Sequence, residues 1–372
     1  MTKVCHLSSA HVGLDVRIFH KECVSLAAAG YETHLVICAS SRDVELAETE
    51  GVKLHALTPA TGRLSRMFKQ SWRCYRTGRN IDAEVYHFHD PELIPYGVLL
   101  RIAGKKVVYD VHEDLPRDIL SKDWIPLSIR RAVSAGAEAL EHLSSRVFFS
   151  VVTATPFIAA RFRRVNPTSL DVNNYPVYSQ FAAVPWSSRH SEICYVGNIG
   201  SVRGIRELIE AMGMLESDVR LQLCGRFGEP DVERQVKLLS GWQLVDEHGF
   251  LDRTGVHRIL ERTMVGIVTL HPLVNYIDAL PVKMFEYMAA GIPVIASDFP
   301  KWREIIQSSG CGICVDPLRP EEIAHAIDYL VTHPEEARRM GENGRRAVLE
   351  RYNWQIEENK LRTFYREVLS NS

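Results

Sequence analysis

Short runs of β-branched and aromatic residues alternate with longer helical patterns along most of the 372-residue chain. In the first half, the runs that read as strands cover residues 4–7, 34–38, 85–89, 107–111 and 147–152, and a helical pattern covers 19–29. This alternation predicts βαβ units, whose strands form a parallel sheet with helices on its faces. Gly30 follows the first helix and provides a left-handed helix stop.

The alternation breaks at Asn173-Asn174-Tyr175-Pro176, and a second series begins near residue 193. Its predicted strands cover residues 193–196, 220–224, 265–270, 294–296 and 312–315, with helices at 205–214 and from 320 to 369. A chain of this length is too long for one compact core. We therefore predict an α/β protein of two Rossmann-like domains, residues 1–178 and 186–354.

Composition excludes several classes of protein. With 44 basic and 46 acidic residues the formal net charge is -2, so the basic surplus of a nucleic-acid-binding protein is missing. The eight cysteines are scattered, which favours a reducing cytoplasm over a disulfide framework. The start of the chain has no signal-peptide pattern, and no apolar run approaches a membrane span of roughly 18 residues. We expect a cytoplasmic protein whose contact with the inner membrane surface, if any, is peripheral.

A glycine-rich turn joins the first strand of the second series to its helix. The turn reads Gly197-Asn198-Ile199-Gly200-Ser201-Val202-Arg203-Gly204. Such a turn brings bare backbone close to phosphate, while a helix N-terminus and an arginine supply donors and positive charge. The alternative is a purely structural turn, because glycines often punctuate loops.

The stretch 278–298 reads D-A-L-P-V-K-M-F-E-Y-M-A-A-G-I-P-V-I-A-S-D. It resembles the acidic-x7-acidic signature of retaining glycosyltransferases of family 4, with its small-residue helix, Gly-x-Pro-Val turn and strand. The resemblance implies a GT-B architecture, in which two Rossmann-like domains face a central cleft and the last helix, 355–372, packs back on the first domain. It also implies that Asp278 contacts donor-sugar hydroxyls and that Glu286 binds the ribose.

The sequence departs from that family in two places. Asp278 stands where the family usually has Glu and is followed by Ala-Leu-Pro in place of a glycine-rich turn. The family's phosphate loop carries Gly-Arg and, five residues later, Lys-Gly, whereas here these pairs are Gly197-Asn198 and Arg203-Gly204. One expected cation is thus missing. Lys283 is a candidate substitute, because a diphosphate in a buried cleft needs compensating charge; a solvated surface lysine is the alternative.

The donor-binding set that we predict combines the glycine turns, the cations and backbone near the acidic signature: Gly13, Gly197, Asn198, Gly200, Arg203, Leu280, Val282, Lys283 and Glu286. The helix N-terminus after Gly200 and the amides near 280–282 would stabilise the departing diphosphate.

Residues 107–116, V-V-Y-D-V-H-E-D-L-P, resemble the family strand that ends in an active-site histidine. His112 stands at the carboxyl end of a predicted parallel strand, where ligands of open α/β sheets gather. We predict that His112 positions the sugar and that Arg203 and Asp278 complete the catalytic set. A buried histidine satisfied by a neighbour is the alternative.

The acceptor side is predicted from the first half of the chain. The loop at residues 8–17 resembles the family's first glycine-containing turn, with Gly13 as its permissive position. Asp15, Arg17, His89 and Glu113 are our candidate acceptor-binding residues. Asp15 and Arg17 have a simpler interpretation as a surface ion pair at a helix start, which contributes little.

Two stretches suggest a metal without sufficient support. His87 and His89 share one face of a strand but have no evident partner carboxylate pattern, and Asp90-Pro91 reads as a helix start. Cys311 and Cys314 have metal-pair spacing but stand alone in an apolar strand, so we interpret them as core. Members of the family commonly work without a divalent metal, and we predict neither a metal nor a cofactor.

Five cations recur at three- and four-residue steps beside an apolar face: Arg63, Arg66, Lys69, Arg73 and Arg76, with Leu64, Phe68, Trp72 and Tyr75. This layout is typical of a helix that lies on an anionic membrane carrying a lipid-linked acceptor. A solvated face packed by its apolar stripe is the alternative.

The sequence therefore predicts a glycosyltransferase that moves a sugar, with retention, from a UDP- or GDP-linked donor to a hydroxyl of a saccharide or lipid-linked saccharide. Polysaccharide or lipopolysaccharide biosynthesis is the expected setting. Two alternatives remain: a nucleotide-sugar epimerase or hydrolase, and a non-catalytic nucleotide-sugar-binding protein. A nicotinamide dehydrogenase is disfavoured, because the first turn lacks a close Gly-x-Gly-x-x-Gly fingerprint.

Overall fold

The computed structural model describes residues 1–122 and 124–370, with the Arg63 side chain outside the described part. The chain forms two compact units: the first comprises Met1–Asn174 and Ile356–Ser372, and the second Tyr175–Gln355. Each unit contains one parallel sheet with helices on its faces. The prediction of two Rossmann-like domains is confirmed.

The sheet of the first unit has seven parallel strands: β1 (Lys3–Val12), β2 (Glu32–Cys38), β3 (Val52–Leu57), β4 (Val85–Phe88), β5 (Lys106–Val111), β6 (Ser150–Thr153) and β7 (Leu170–Asp171). Their order is β3-β2-β1-β4-β5-β6-β7, so the chain winds outward in one direction from β1 and in the other from β4. The reversal between β1 and β4 is the topological switch point, where the carboxyl ends of the strands leave a crevice.

The helices of the first unit connect these strands: α1 (Val24–Ala28), which continues the π-helical segment Ile18–Cys23, α2 (Ser41–Thr49), α3 (Arg63–Ser65), α4 (Ser71–Ile81), α5 (Ile94–Ile102), α6 (Leu115–Leu120), α7 (Leu127–Ser145) and α8 (Pro156–Phe162). A second π-helical segment, Arg66–Gln70, joins α3 to α4. Close helix packing depends on glycine at one point: a Cβ on Gly97 would lie 2.6 Å from the Phe88 ring.

The sheet of the second unit has six parallel strands: β8 (Glu192–Val196), β9 (Arg220–Cys224), β10 (Val245–Gly249), β11 (Val265–Val268), β12 (Val294–Ser297) and β13 (Gly312–Val315). Their order, β10-β9-β8-β11-β12-β13, places the switch point between β8 and β11. The helices are α9 (Ile205–Met212), α10 (Pro230–Val236), α11 (Arg253–Arg262), α12 (Val274–Ile277), α13 (Val282–Ala289), α14 (Pro300–Ser309), α15 (Pro320–Thr332) and α16 (Pro334–Glu350).

The last helix, α17 (Trp354–Ser370), begins in the second unit and continues in the first. Leu361, Tyr365 and Val368 are fully buried on its inner face. Near its start, the Asn173 amide donates a hydrogen bond to Glu357 Oε2 at 2.9 Å. The helix therefore belongs to the core of the first unit through both apolar burial and a buried polar contact.

The predicted strands are confirmed, but several bounds differ: β1 runs to Val12 and not to residue 7, and β11 ends at Val268 and not at residue 270. The strand predicted at 147–152 begins only at Ser150, because α7 runs to Ser145 and the Asn166 amide donates to the Ser145 and Phe148 carbonyls. The strands β3, β7 and β10 were not predicted. The helical end of the chain is divided into α15, α16 and α17, since Pro334 cannot continue α15.

The cysteines lie inside the protein. Cys311 is fully buried and Cys314 is partly buried on β13, and all eight are free thiols. The interpretation of Cys311 and Cys314 as core residues is confirmed. Among the described residues, no helix combines the length and the apolar character needed to cross a bilayer.

Candidate functional site

The turn that follows β8 fits so closely against its neighbours that glycine is required. The Gly197 amide donates to the Cys224 carbonyl at 2.9 Å. A Cβ on Gly225, whose φ is 156°, would lie 1.8 Å from the Gly197 carbonyl oxygen. A Cβ on Gly204, with φ of 71°, would lie 2.0 Å from the Thr269 carbonyl oxygen. The turn is thereby fixed at the switch point of the second unit.

The helix after this turn begins at Ile205, as predicted, and ends at Met212. Residues Ser201–Arg203 form a single 3-10 turn between Gly200 and α9, so the backbone directly after Gly200 belongs to that short turn and not to α9. The Ser201 amide instead donates to Glu229 Oε1 at 2.9 Å, and the Ser201 hydroxyl contacts the same carboxylate. Left-handed Gly204 separates the two helical segments.

Lys283 lies under the turn, not on the surface. Its Nζ atom is inaccessible to solvent and has no hydrogen-bond partner among the described residues. It sits 3.7 Å from the centroid of the Tyr195 ring, which attracts the cation through its π face. Burial, with the Arg203 guanidinium nearby, lowers the pKa of Lys283 to about 7. The alternative interpretation, a solvated surface lysine, is wrong.

The two acids of the signature, Asp278 and Glu286, lie on either side of the start of α13. Asp278 ends α12, Lys283 lies in the first turn of α13, and Glu286 follows one turn later with its side chain partly exposed. The helix is held by the buried Tyr287, whose hydroxyl accepts from the Val196 amide at 2.9 Å. This bond links α13 directly to the end of β8, so Lys283 and the glycine turn form one rigid assembly.

The predicted donor-binding residues of the second unit thus surround two cations. The Arg203 guanidinium lies 6.0 Å from the Tyr276 ring centroid and, like Lys283, is in no ion pair within the described part of the chain. Leu280 is partly buried and packs on the core, and Asn198 is exposed. Two cations without carboxylate partners beside a backbone turn can bind a doubly charged anion.

In the first unit, Arg17 does not form the surface ion pair considered for it. Asp15 instead caps the helix start by accepting from the Arg17 and Ile18 amides at 2.8 and 2.9 Å. The Arg17 guanidinium is buried, donates to both carboxylate oxygens of Asp110 at 2.8 and 3.0 Å, and lies 3.1 Å from Glu22. The interpretation as a surface pair is wrong, because Asp110 and Glu22 draw Arg17 inward.

Four histidines surround this ion pair at the switch point of the first unit. His6 lies on β1, His87 on β4, and His89 and His112 directly after β4 and β5. His89 contacts His6 at 2.9 Å and His112 at 3.1 Å, ring nitrogen to ring nitrogen. The Tyr365 hydroxyl lies 2.8 Å from His87 Nδ1. The C-terminal helix therefore completes a polar cluster inside the first unit.

Burial controls the charge of this cluster. It lowers the pKa of His6 and His87 well below the ordinary value, aided by repulsion from neighbouring imidazoles, and lowers that of His89 to about 4. Burial and the adjacent Asp110 raise the pKa of Glu22 well above its ordinary value. Burial also tends to raise the pKa of Asp110. The Arg17 guanidinium outweighs this effect and holds the pKa of Asp110 well below the usual range.

His112 forms the outer edge of the cluster. Its side chain is 18% exposed, and its Nε2 lies 3.2 Å from Asp110 Oδ2. The His11 ring stands 5.0 Å away and pairs with Asp90 at 3.1 Å. An imidazole that is oriented by a buried carboxylate and open on its other side can contact a ligand.

Asp90 has a different role from the predicted helix cap. It precedes the 3-10 turn Pro91–Leu93, but its side chain caps none of that turn's amides. Its Oδ2 accepts from the Ser8 hydroxyl at 2.8 Å and the Ser9 amide at 2.6 Å. Burial opposes its charge, yet hydrogen bonding to His11 and Ser8 holds the pKa of Asp90 well below its ordinary value.

The predicted acceptor residues differ in accessibility. Glu113 is exposed and Asp15 partly so, whereas Arg17 and His89 are buried. Gly13 adopts φ of 64°, and its amide donates to the Cys38 carbonyl at 2.7 Å. The buried pair supports the site from within, and the exposed pair can reach a ligand directly.

Sequence reasoning missed several members of these sites: His6, Glu22, Asp90, Asp110, Glu229 and Tyr365. Asp110 carried a signal, because an acid in the middle of V-V-Y-D-V is costly to bury unless it is paired. Glu22 gave no such signal. The neighbouring His20 is exposed, so the local sequence does not indicate that Glu22 is buried.

Two family models match the chain. One, described as a glycosyl transferase 4-like domain, matches residues 16–172, and the other, glycosyl transferases group 1, matches 179–347. The MMP alpha-(1->4)-mannosyltransferase of Mycolicibacterium hassiacum is 25% identical over 292 residues, which are 75% of this chain and 69% of that protein. For other curated relatives, the match spans about half of the relative's length.

Solved structures share the fold over the whole chain. The sucrose-phosphate synthase of Thermosynechococcus elongatus superimposes with a TM-score of 0.79 at 18% identity, and 100% of both chains is covered. Anabaena HepE in complex with UDP and glucose gives a TM-score of 0.74 at 16% identity, again covering 100% of both chains.

The buried Arg17–Asp110 pair generates a stability prediction. Asp110→Asn should lower the free energy of unfolding by about 3–5 kcal/mol, because it leaves a buried guanidinium without its charge partner. Urea denaturation measures this loss. Asp246→Asn, which removes a partner of the surface Arg220, should cost less than about 1 kcal/mol. Equal losses in the two variants would contradict the assignment.

Proposed function

The chain belongs to the family 4 type of glycosyltransferases with the GT-B fold, and we propose that it transfers a sugar from a nucleotide-sugar donor to a hydroxyl of a saccharide or lipid-linked saccharide. The observation that carries the proposal is a pair of cations that form no ion pair among the described residues: Arg203, within the glycine turn of the second unit, and Lys283, beside it. A nucleoside diphosphate supplies the negatively charged partner that both cations lack.

The reaction breaks the bond between the anomeric carbon and the donor phosphate. Negative charge then grows on the departing diphosphate, and donors fixed in advance stabilise it most effectively. Arg203 contacts one phosphate, while Lys283 and the first amides of α13 contact the other. Glu286 binds the ribose hydroxyls, and Asp278 contacts the sugar.

Lys283 replaces the cation that the family places at the position of Asn198. It lies directly beside Gly197, since a Cβ on that residue would be in ordinary contact with the Lys283 Nζ atom at 3.6 Å. In the free protein the ammonium is desolvated and close to losing its proton. A bound diphosphate stabilises the protonated amine, so the charge of Lys283 depends on the ligand and not on bulk solvent.

The first unit contributes the sugar- and acceptor-side groups. His112 is oriented by Asp110, which leaves its open side to a sugar hydroxyl, and Glu113 and Asp15 are available to the acceptor. Retention follows from attack on the same face as the leaving group, with the departing phosphate taking the acceptor proton. No metal is assigned to this step.

A lipid-linked acceptor fits the surface around α4. Three apolar side chains, Leu64, Phe68 and Trp72, are exposed by 72%, 64% and 50%, and lie beside the exposed cations Arg66, Lys69, Arg73 and Arg76. Tyr75 instead packs in the core. Exposed apolar groups among cations favour an anionic membrane surface over a packed stripe.

Co-sedimentation with vesicles containing anionic lipid tests this contact. Phe68→Ser should weaken vesicle binding severalfold, because it removes one of the inserting side chains. Leu238→Ser removes an even more exposed apolar residue, from the second unit, and should leave binding unchanged. Identical binding by the two variants would count against a role for α4.

Thermal unfolding in the presence of UDP, GDP and their sugar conjugates tests the donor site. A ligand that binds only the folded protein raises the melting temperature. Arg203→Ala and Glu286→Ala should each weaken binding by roughly tenfold to a hundredfold, as expected for the loss of a hydrogen bond to a charged group. Arg206→Ala, a surface residue paired with Glu210, is the matched control.

The outcome separates the alternatives. Unchanged ligand shifts in both variants would contradict the assigned site. Conversion of the donor without any acceptor would favour a hydrolase or epimerase.

Lys283 also predicts proton uptake. With a pKa of about 7, its amine is mostly neutral in the free protein at pH 8, and a bound diphosphate raises the pKa again. Calorimetry at pH 8 in buffers of different ionisation heat should therefore show uptake approaching one proton per nucleotide, and affinity should fall as the pH rises above about 7. Lys283→Met should abolish the uptake. Proton-neutral binding by the wild-type protein would disprove this role.

A further inference from the structure

The polar cluster of the first unit contains a set of metal-ligating groups that the sequence does not display. Glu22, His87, His89 and Asp110 are all buried, with at most 3% of any residue exposed. One ligand atom from each residue lies within 4.8 Å of every other. They come from distant parts of the chain, and the fold brings them together at the ends of β4 and β5.

Three buried atoms of this set have no hydrogen bond within the described part of the chain: both carboxylate oxygens of Glu22 and the Nε2 atom of His87. Of these, Glu22 Oε1 is ion-paired with Arg17 at 3.1 Å, whereas Glu22 Oε2 and His87 Nε2 have no partner as close. Such atoms are costly to leave unsatisfied. A single shared proton can satisfy two of them, whereas one cation can satisfy ligands from all four residues.

We propose that Glu22, His87, His89 and Asp110 form a buried binding site for a first-row divalent cation, with zinc the ion that fits best. Two imidazoles and two carboxylates are a donor set that zinc binds in tetrahedral geometry. Bonds of about 2.0–2.1 Å place tetrahedral ligands about 3.4 Å apart, so each ligand atom needs to move inward by less than about 1 Å.

The surrounding groups are arranged as supports for metal ligands. His87 Nδ1 is held by the Tyr365 hydroxyl at 2.8 Å, which leaves its Nε2 directed to the site. His89 is held by His6 and by His112, one on each ring nitrogen, so binding displaces one of these contacts. Arg17 holds the Asp110 carboxylate. Partners of this kind orient metal ligands and fix their tautomers.

Arg17 also restricts which cation the site accepts. Its guanidinium lies 3.1 Å from Glu22 and 2.8 Å from Asp110, so it already offsets part of the negative charge. Magnesium and calcium depend on negatively charged oxygen ligands, and this set offers too few. Zinc binds well to neutral imidazole nitrogens, and Arg17 does not contact the two imidazoles of this set.

This site is separate from the proposed donor site, since all its ligands belong to the first unit. A bound ion would join β4, β5 and the segment Ile18–Cys23 beneath His112, and would act as a structural clamp on the groups that orient that histidine. His112 is the side from which an ion can enter, because it is the partly exposed member of the cluster.

The direct test uses the metal alone on the full chain. After removal of metals with a chelator, equilibrium dialysis should show about one tightly bound zinc per chain. Cobalt(II) in its place should give the intense visible absorption of a tetrahedral site. Glu22→Gln and His87→Gln should each weaken zinc binding at least tenfold, with circular dichroism used to confirm that each variant is folded.

His55→Gln is the matched control. His55 forms a second histidine pair on the same sheet, 3.0 Å from His34 and near Glu32, but lies outside the cluster, so zinc affinity should not change. The proposal is overturned if the wild-type chain binds no stoichiometric zinc. It is also overturned if His55→Gln weakens binding as much as the cluster variants. Nucleotide-induced thermal shifts, read on the second unit, report separately on the donor site.

Discussion

Parallel strand pairing is the constraint on which both units depend. Because all strands of a parallel sheet point the same way, their carboxyl ends meet at one edge, and the reversal of winding opens a crevice there. The reversals fall between β1 and β4 and between β8 and β11. The Arg17–Asp110 cluster lies at the first of these places, and the glycine turn with Arg203 and Lys283 lies at the second. Burial of the apolar strands stabilises each unit, and the loops that follow the strands hold most of the candidate functional residues.

The two crevices use charge in opposite ways. In the first unit, Arg17 and Asp110 neutralise each other inside the protein, and burial lowers the pKa values of His6, His87 and His89. In the second unit, Arg203 and Lys283 form no ion pair among the described residues, and the nearest acid held by the turn, Glu229, is bound to Ser201. The first arrangement fixes the position of His112. In the proposed function, a bound diphosphate provides the negative charge for the second.

Strand positions were predictable because periodic apolar runs depend on local sequence, and the glycine turn was predictable because its residues are contiguous. Contacts between distant residues were not. Glu22 meets Asp110 only through the folded sheet, and Tyr365 reaches His87 from the last helix. Arg17 was misassigned because its neighbour Asp15 offered a local partner, while the buried acids that engage it lie elsewhere in the chain. Lys283 was recognised as a candidate, but its burial follows from the packing of α13 against β8.

The proposed transfer reaction requires that the donor diphosphate binds at the glycine turn of the second unit. A crystal structure of the chain with bound UDP or GDP tests this most directly. It should show phosphate oxygens within hydrogen-bonding distance of both Arg203 and Lys283, and the ribose against Glu286. Nucleotide density located elsewhere, with Lys283 still covered by Tyr195 and remote from phosphate, would contradict the central claim.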